Sequence, residues 1–258
     1  MNIVVLVKQV PDTWADRSLR ADGRVDRDAV APVTDEITER AVETALQLKE
    51  LHGGSVTVLT MGPARAVDAL RKGLAMGADA AIHVSDESLA GSDALQTSAA
   101  LAAALRTVEV DLVIAGTEST DGRTGAIPAM LAERLALPQL TFLSSVTVSD
   151  GVVSGIRSVE NGTLEVRAGL PAVISITEQA PEPRFPNFKG IMAAKKKPMT
   201  VLTVADLGLE VGEVGGDASW SRVANVTPRP ARAAGTVITD DGTAGAQLAD
   251  FLAGAQLI

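Results

Sequence analysis

Directly after an apolar run at 111–115 and before a helical pattern, the chain reads GTESTDGRTG, from Gly116 to Gly125. Gly116, Gly122 and Gly125 let the main chain come close to a ligand, and Ser119, Thr120 and Thr124 offer hydroxyl donors. The start of the following helix adds partial positive charge. Together these parts suit phosphate chemistry, with amides and hydroxyls cradling an anion at the carboxyl end of a strand, where α/β sheets take nucleotides. The spacing is neither G-x-G-x-x-G nor Walker A, so an ordinary polar loop is the other reading of the same residues. Other chemistries lack their components. With no cysteine in 258 residues there is no disulfide framework, no thiolate catalysis and no cysteine-held cluster, so any redox work falls to an organic cofactor. His52 and His83 have no partner at metal-ligand spacing, and no G-x-S-x-G elbow is present.

A second distinctive stretch, 182–199, reads EPRFPNFKGIMAAKKKPM. Pro183 and Pro186 fix φ and lack amide donors, so the segment is expected to project as a loop rather than join a sheet. Phe185 and Phe188 are two of only 4 phenylalanines in a chain with 2% aromatic residues. Either both fold back onto the core while Lys195, Lys196 and Lys197 form a solvated face, or a partner covers the two rings.

These residues need a scaffold, and the hydrophobic pattern supplies one. Apolar runs at 2–8, 55–61, 80–84 and 111–115 alternate with helical patterns near 35–52, 64–76, 92–107 and 124–136, the rhythm of a parallel sheet. Ile37, Ala41, Ala45 and Leu48 mark one helix face; Asp35 and Glu36 place negative charge on its first turn and Gly53-Gly54 stops it. After Pro138, strand-like pieces near 144–149, 152–158, 163–168 and 172–177 follow, with Asp150-Gly151 and Asn161-Gly162 as hairpin turns, and these are expected to extend the sheet at one edge. The expected fold is α/β: a mostly parallel, Rossmann-like nucleotide-binding sheet with helices on both faces, antiparallel edge hairpins and a C-terminal arm. A Gly, Ala and Pro-rich stretch at 212–245 leads to a terminal helix carrying Leu248, Phe251, Leu252 and Leu257, packed either on its own domain or on a partner chain. A hydrophobic content of 46% supports a large core, and a net charge of −9 disfavours nucleic acid. The opening run is too short for a signal peptide and no stretch reaches membrane-spanning length, so a soluble cytoplasmic protein without membrane insertion is expected.

The order of residues in 182–199, together with VLVKQVPDT, AVETALQLKE, GLAMGAD and the 116–128 loop, resembles the electron transfer flavoprotein β subunit family over roughly the first 200 residues. The resemblance implies a non-catalytic subunit of a heterodimeric electron carrier. It implies an α subunit holding most of the FAD site, and a structural AMP on this chain. Electrons would come from acyl-CoA and related dehydrogenases and pass to the electron transfer flavoprotein–quinone oxidoreductase. The AMP-site positions it implies are Leu6, the segment Asp35, Glu36, Ile37 and Thr38, Met61, and the loop Gly116, Thr117, Glu118, Ser119, Thr120, Asp121, Gly122, Arg123, Thr124, Gly125, Ala126 and Ile127. Asp-Glu-Ile at 35–37 departs from the family's common Asn-Pro-Phe, and Thr13 and Ile37 fall near the flavin where other members carry aromatic side chains. For partner docking the resemblance implies Arg184, Phe185, Phe188, Ile191, Met192 and Lys195, with Phe188 as the hydrophobic anchor. It also implies two domains, 1–200 as the nucleotide-binding unit and 201–258 as an extension packing on the α subunit. In electron-bifurcating relatives a second FAD takes the AMP pocket. A free-standing adenine-nucleotide-binding protein, an ATP sensor or hydrolase, is the alternative left by the 116–125 loop alone.

Overall fold

A computed structural model describes residues 1–227, 230 and 235–258. They form two compact units, Met1–Ala224 and Asn225–Ile258. In chain order the first unit contains β1 (Asn2–Leu6), the short β2 (Gln9–Pro11) and β3 (Pro32–Thr34), α1 (Glu36–His52), β4 (Ser55–Met61), α2 (Val67–Met76), β5 (Ala80–Val84), α3 (Ala94–Leu105), β6 (Leu112–Gly116) and α4 (Ile127–Leu135). Then come β7 (Gln139–Ser149), β8 (Val152–Val159), β9 (Gly162–Gly169), β10 (Ala172–Ile176), α5 (Phe188–Ala194), β11 (Met199–Leu202) and the single turn α6 (Gly215–Ala218). The second unit carries α7 (Ala244–Gly254).

Nine strands make one sheet in the order β11-β5-β4-β1-β6-β10-β7-β8-β9, parallel from β11 to β7 and antiparallel through β7, β8 and β9. Both faces are covered, as the alternation along β1 demonstrates. Ile3 and Val5 enter an apolar cluster with Ala41 and Ala45 of α1 and Leu70 and Leu74 of α2. Val4 and Leu6 enter another with Ala100 and Leu101 of α3 and Leu131 of α4. Strands buried on both faces read as continuous apolar runs, which is why their position was legible in the sequence. The core is wholly aliphatic. Both tryptophans and all four phenylalanines, Trp14, Trp220, Phe142, Phe185, Phe188 and Phe251, are exposed.

Four features differ from the sequence reading. The last strand-like piece after Pro138 does not extend the edge: β10 inserts between β6 and β7, its Ala172, Val173, Ile174 and Ile176 all buried as a central strand requires. The 182–199 segment is not all loop, since Asn187 accepts from Gly190 N at 2.8 Å and starts α5, with both prolines upstream of the cap where they do no harm. Lys197 does not share a solvated face with Lys195 and Lys196, which are exposed. Its Nζ donates to the Leu74 and Ala78 carbonyls, capping the end of α2, and burial lowers its pKa. The first unit runs to Ala224, with β11 paired to β5 and both Val204 and Val214 buried. In the second unit α7 ends at Gly254, so Leu257 lies beyond the helix that carries Leu248 and Phe251.

Candidate functional site

Parallel strands all point the same way, so β1, β4 and β6 deliver the chain at one carboxyl edge, and the residues expected there meet. Leu6 ends β1, Met61 ends β4 and Gly116 ends β6. Gly116 lets the start of α1 settle on this edge, since a Cβ there would stand 2.8 Å from Ile37 Cγ2. That close approach gives Gly116 a packing role.

Asp35 joins two segments. Fully buried, it caps α1 by accepting from Ile37 N through Oδ1, and through Oδ2 it accepts from Thr120 N at 2.7 Å and Thr120 Oγ1 at 2.8 Å. Its own amide donates to the Lys8 carbonyl at 2.9 Å, and Thr38 Oγ1 donates to the Asp35 carbonyl. Asp35 thus accepts through both carboxylate oxygens, whereas an asparagine here would offer one acceptor and one donor. Glu36, by contrast, is exposed and touches none of these groups.

Within the 117–126 loop the hydroxyls are not equivalent. Thr117 donates to the Ile176 carbonyl and Thr120 to Asp35, so both are spent on structure. Ser119 accepts from Lys8 Nζ at 3.0 Å and from Gly122 N, while Thr124 is exposed. Asp121 has a side chain only 1% exposed, with Lys8 Nζ 2.8 Å from Oδ1. Its Oδ2 accepts no directed hydrogen bond and is neutralised by ion pairing with the Arg27 guanidinium. Burial would raise this carboxyl, but Lys8 and Arg27 hold it well below the usual aspartate range. Arg123 and Gly125 adopt left-handed φ values of 45 and 65, curling the loop just before α4. That helix opens without a side-chain cap at Ala126, leaving the Ile127 and Ala129 amides of its first turn for an anion, Pro128 between them having none. The cradle, the uncapped helix and Lys8 fit a phosphate ester. Lys8, Arg17 and Arg27 were missed in the sequence, because a lone lysine after a strand and arginines in a polar connection carry no spacing signal.

A second surface gathers the residues expected to meet a partner. Arg40, Glu43, Gln47 and Glu50 form a polar stripe along α1. Arg40 donates to the Ala180 carbonyl and pairs with Glu182, whereas Arg184 grips Glu43 at 2.7 and 2.9 Å and Glu50 at 2.5 Å. Burial would raise the Glu43 carboxyl, yet Arg184's hydrogen bonds hold it below the usual range. Arg184 thus fastens the root of the segment. Gly190 seats α5 against α2, where a Cβ would lie 2.4 Å from the Ala75 carbonyl. The result is a pinned base with an apolar tip: Phe185 is 95% exposed, Phe188 80%, Ile191 47% and Met192 48%, with Lys195 exposed beside them.

Comparison with known proteins gives the family of the chain. The model of the electron transfer flavoprotein domain matches residues 23–207. A Mycobacterium leprae protein named electron transfer flavoprotein subunit beta is 53% identical over 264 residues, covering 100% of this chain and 99% of its own. The chain belongs to the electron transfer flavoprotein β-subunit family. It is accordingly an electron-carrier subunit and not an enzyme. The Mycobacterium tuberculosis H37Rv protein of the same name is similar to the same extent, 53% over 100% of this chain. A more distant relative is the caffeyl-CoA reductase-Etf complex subunit CarD of Acetobacterium woodii, 35% identical over 93% of this chain and 92% of its own. Among the described residues, no group of three or more His, Asp or Glu side chains is placed to hold a metal, and no helix is long and apolar enough to cross a membrane. His83 is a core residue, its Nε2 3.0 Å from the Gly62 carbonyl.

Proposed function

We propose that this chain is the β subunit of a heterodimeric flavin carrier that takes electrons from acyl-CoA and related dehydrogenases and passes them to a quinone oxidoreductase. In this reading FAD sits mainly on the α subunit, and the 35–38 segment and 117–126 loop hold AMP as a structural ligand. The observation that carries it is the pair of exposed phenylalanines on a segment whose base is clamped by Arg184 to Glu43 and Glu50. A solvent-facing aromatic tip on a fixed base is built to enter a pocket on another protein without reordering its own backbone. FAD, when bound, would supply the storage of electrons between donor and acceptor.

What this chain's residues do is positional. Phe185 and Phe188 present apolar contact, Lys195 adds screened attraction to an acidic partner face, and Arg184 fastens the base of their segment to α1. At the other edge, Asp35 accepts from Thr120 N and Asp121 from Gly122 N, which holds the loop's own turn and leaves Ser119 to meet a phosphate. The C-terminal part Asn225–Ile258 provides α7 and its apolar residues for the α subunit.

Co-expression with a candidate α subunit tests the reading. A yellow one-to-one complex that yields one FAD and one AMP on extraction supports it. Two FAD per complex would place the chain with electron-bifurcating carriers instead. A stable colourless protein that hydrolyses ATP would overturn it.

A further inference from the structure

Two segments outside the loop itself converge on the turn at 119–122. Lys8, just past β1, reaches Ser119 Oγ at 3.0 Å and Asp121 Oδ1 at 2.8 Å. From the connection between β2 and β3, Arg27 pairs with the other Asp121 oxygen and Arg17 donates to the Thr120 carbonyl at 2.6 Å. The same turn holds two carboxylates, Asp121, which Lys8 and Arg27 pair with, and Asp35, which accepts from Thr120, while Arg123 and Glu118 lie 3.9 Å apart and offset each other. Three positive charges against two negative leave one uncompensated.

A phosphate monoester carries about −1.5 to −2 at neutral pH, and each further phosphoryl group adds negative charge. Asp121 is out of water, with only 1% of its side chain exposed, so its charge acts on a neighbouring anion with little screening. We propose that Asp121 is a specificity-determining residue, an internal anion that occupies Lys8 and Arg27 and so admits a nucleoside monophosphate while disfavouring the di- and triphosphate. Repulsion of the wrong ligand then does as much as attraction of the right one. This inference rests on reading 117–126 as a nucleotide site.

The test is equilibrium dialysis of the full-length chain in complex with its α subunit, using labelled AMP and unlabelled AMP, ADP and ATP as competitors. The wild type should hold AMP at least about tenfold tighter than ATP. Asp121→Asn keeps the size and the Oδ1 acceptor but removes the charge, and it should narrow that gap to about threefold or reverse it. Arg27→Gln should widen the gap, because it leaves Asp121 less compensated. If the wild type binds no adenine nucleotide, the site reading itself falls. If it binds AMP without preference over ATP, or if Asp121→Asn keeps the wild-type gap, the role of Asp121 is overturned and the site reading stands. Should Asp121→Asn fail to fold, an unchanged gap in Arg27→Gln overturns the proposal equally.

Discussion

Phe188 opens α5 with most of its ring in solvent, and Asn187 holds that first turn by accepting from Gly190 N. Truncating a buried aromatic anchor costs about 2 kcal/mol or more at an interface, roughly 30-fold in affinity, whereas removing an exposed ring costs its own fold little. Phe188→Ala is therefore expected to raise the Michaelis constant for an acyl-CoA dehydrogenase by about that factor and leave the melting temperature nearly unchanged. Steady-state carrier reduction and calorimetry together check it; unfolding of the variant would return Phe188 to the core. Gly125 makes a different kind of contribution, through its φ of +65. A left-handed non-glycine residue costs roughly 1–2 kcal/mol, and a β-branched one resists that region most. The space around Gly125 is open, the nearest atom to an added Cβ being Glu118 Oε2 at 4.0 Å, so Gly125→Val should act through the turn's shape rather than a clash. AMP extracted per heterodimer should fall well below one; unchanged stoichiometry would show that the loop does not hold it.

Helix α1 serves both surfaces at once. Its N-terminal cap, Asp35, ties down the 117–126 loop, and one to four turns along Arg40, Glu43 and Glu50 tie down the 182–194 segment. Glu43→Gln should free Arg184 at a cost of about 2 kcal/mol, the size of a hydrogen bond to a charged group. Faster hydrogen exchange is expected across 182–194, with the 117–126 loop undisturbed. Because the Glu43 carboxyl lies below its ordinary pKa, the tie is fully present above about pH 4.3 and is lost as the pH falls through the depressed value. The wild type should loosen its docking segment in acid, and Glu43→Gln should show a flatter profile over the same range. Much of this element was legible in advance: apolar spacing at 37, 41, 45 and 48 gave its face, and Gly53 its end. The stripe at 40, 43, 47 and 50 was not, since a polar helix face looks the same whether it meets water or an arginine 141 residues away. Nor was α5, whose seven residues follow two prolines and owe their helix to one asparagine cap and to packing on α2. Strand β10 misled for a related reason: its sequence gives its burial, but whether it adds to an edge or inserts between neighbours is settled by distant strands.

At the scale of the whole chain, the two units differ in what they bury. Met1–Ala224 contains both apolar clusters, whereas α7 has no buried residue and leaves Leu248 50% and Phe251 54% exposed. Burying the remaining half of two such side chains is worth about 2 kcal/mol in all. Ending the chain at Ala224 should weaken α-subunit association about 30-fold in sedimentation experiments. The melting of the remaining unit should move by only a few degrees; undiminished affinity would remove α7 from the interface. The all-aliphatic core has a further consequence, which concerns light. With no tyrosine, near-ultraviolet absorption and emission come almost wholly from Trp14 and Trp220, and these are 91% and 88% exposed. Their indoles are already in water when the chain is native, so denaturation should barely shift the emission maximum while the far-ultraviolet dichroism collapses. A blue shift in this protein's fluorescence would mark not folding but the arrival of another molecule at one of two indoles.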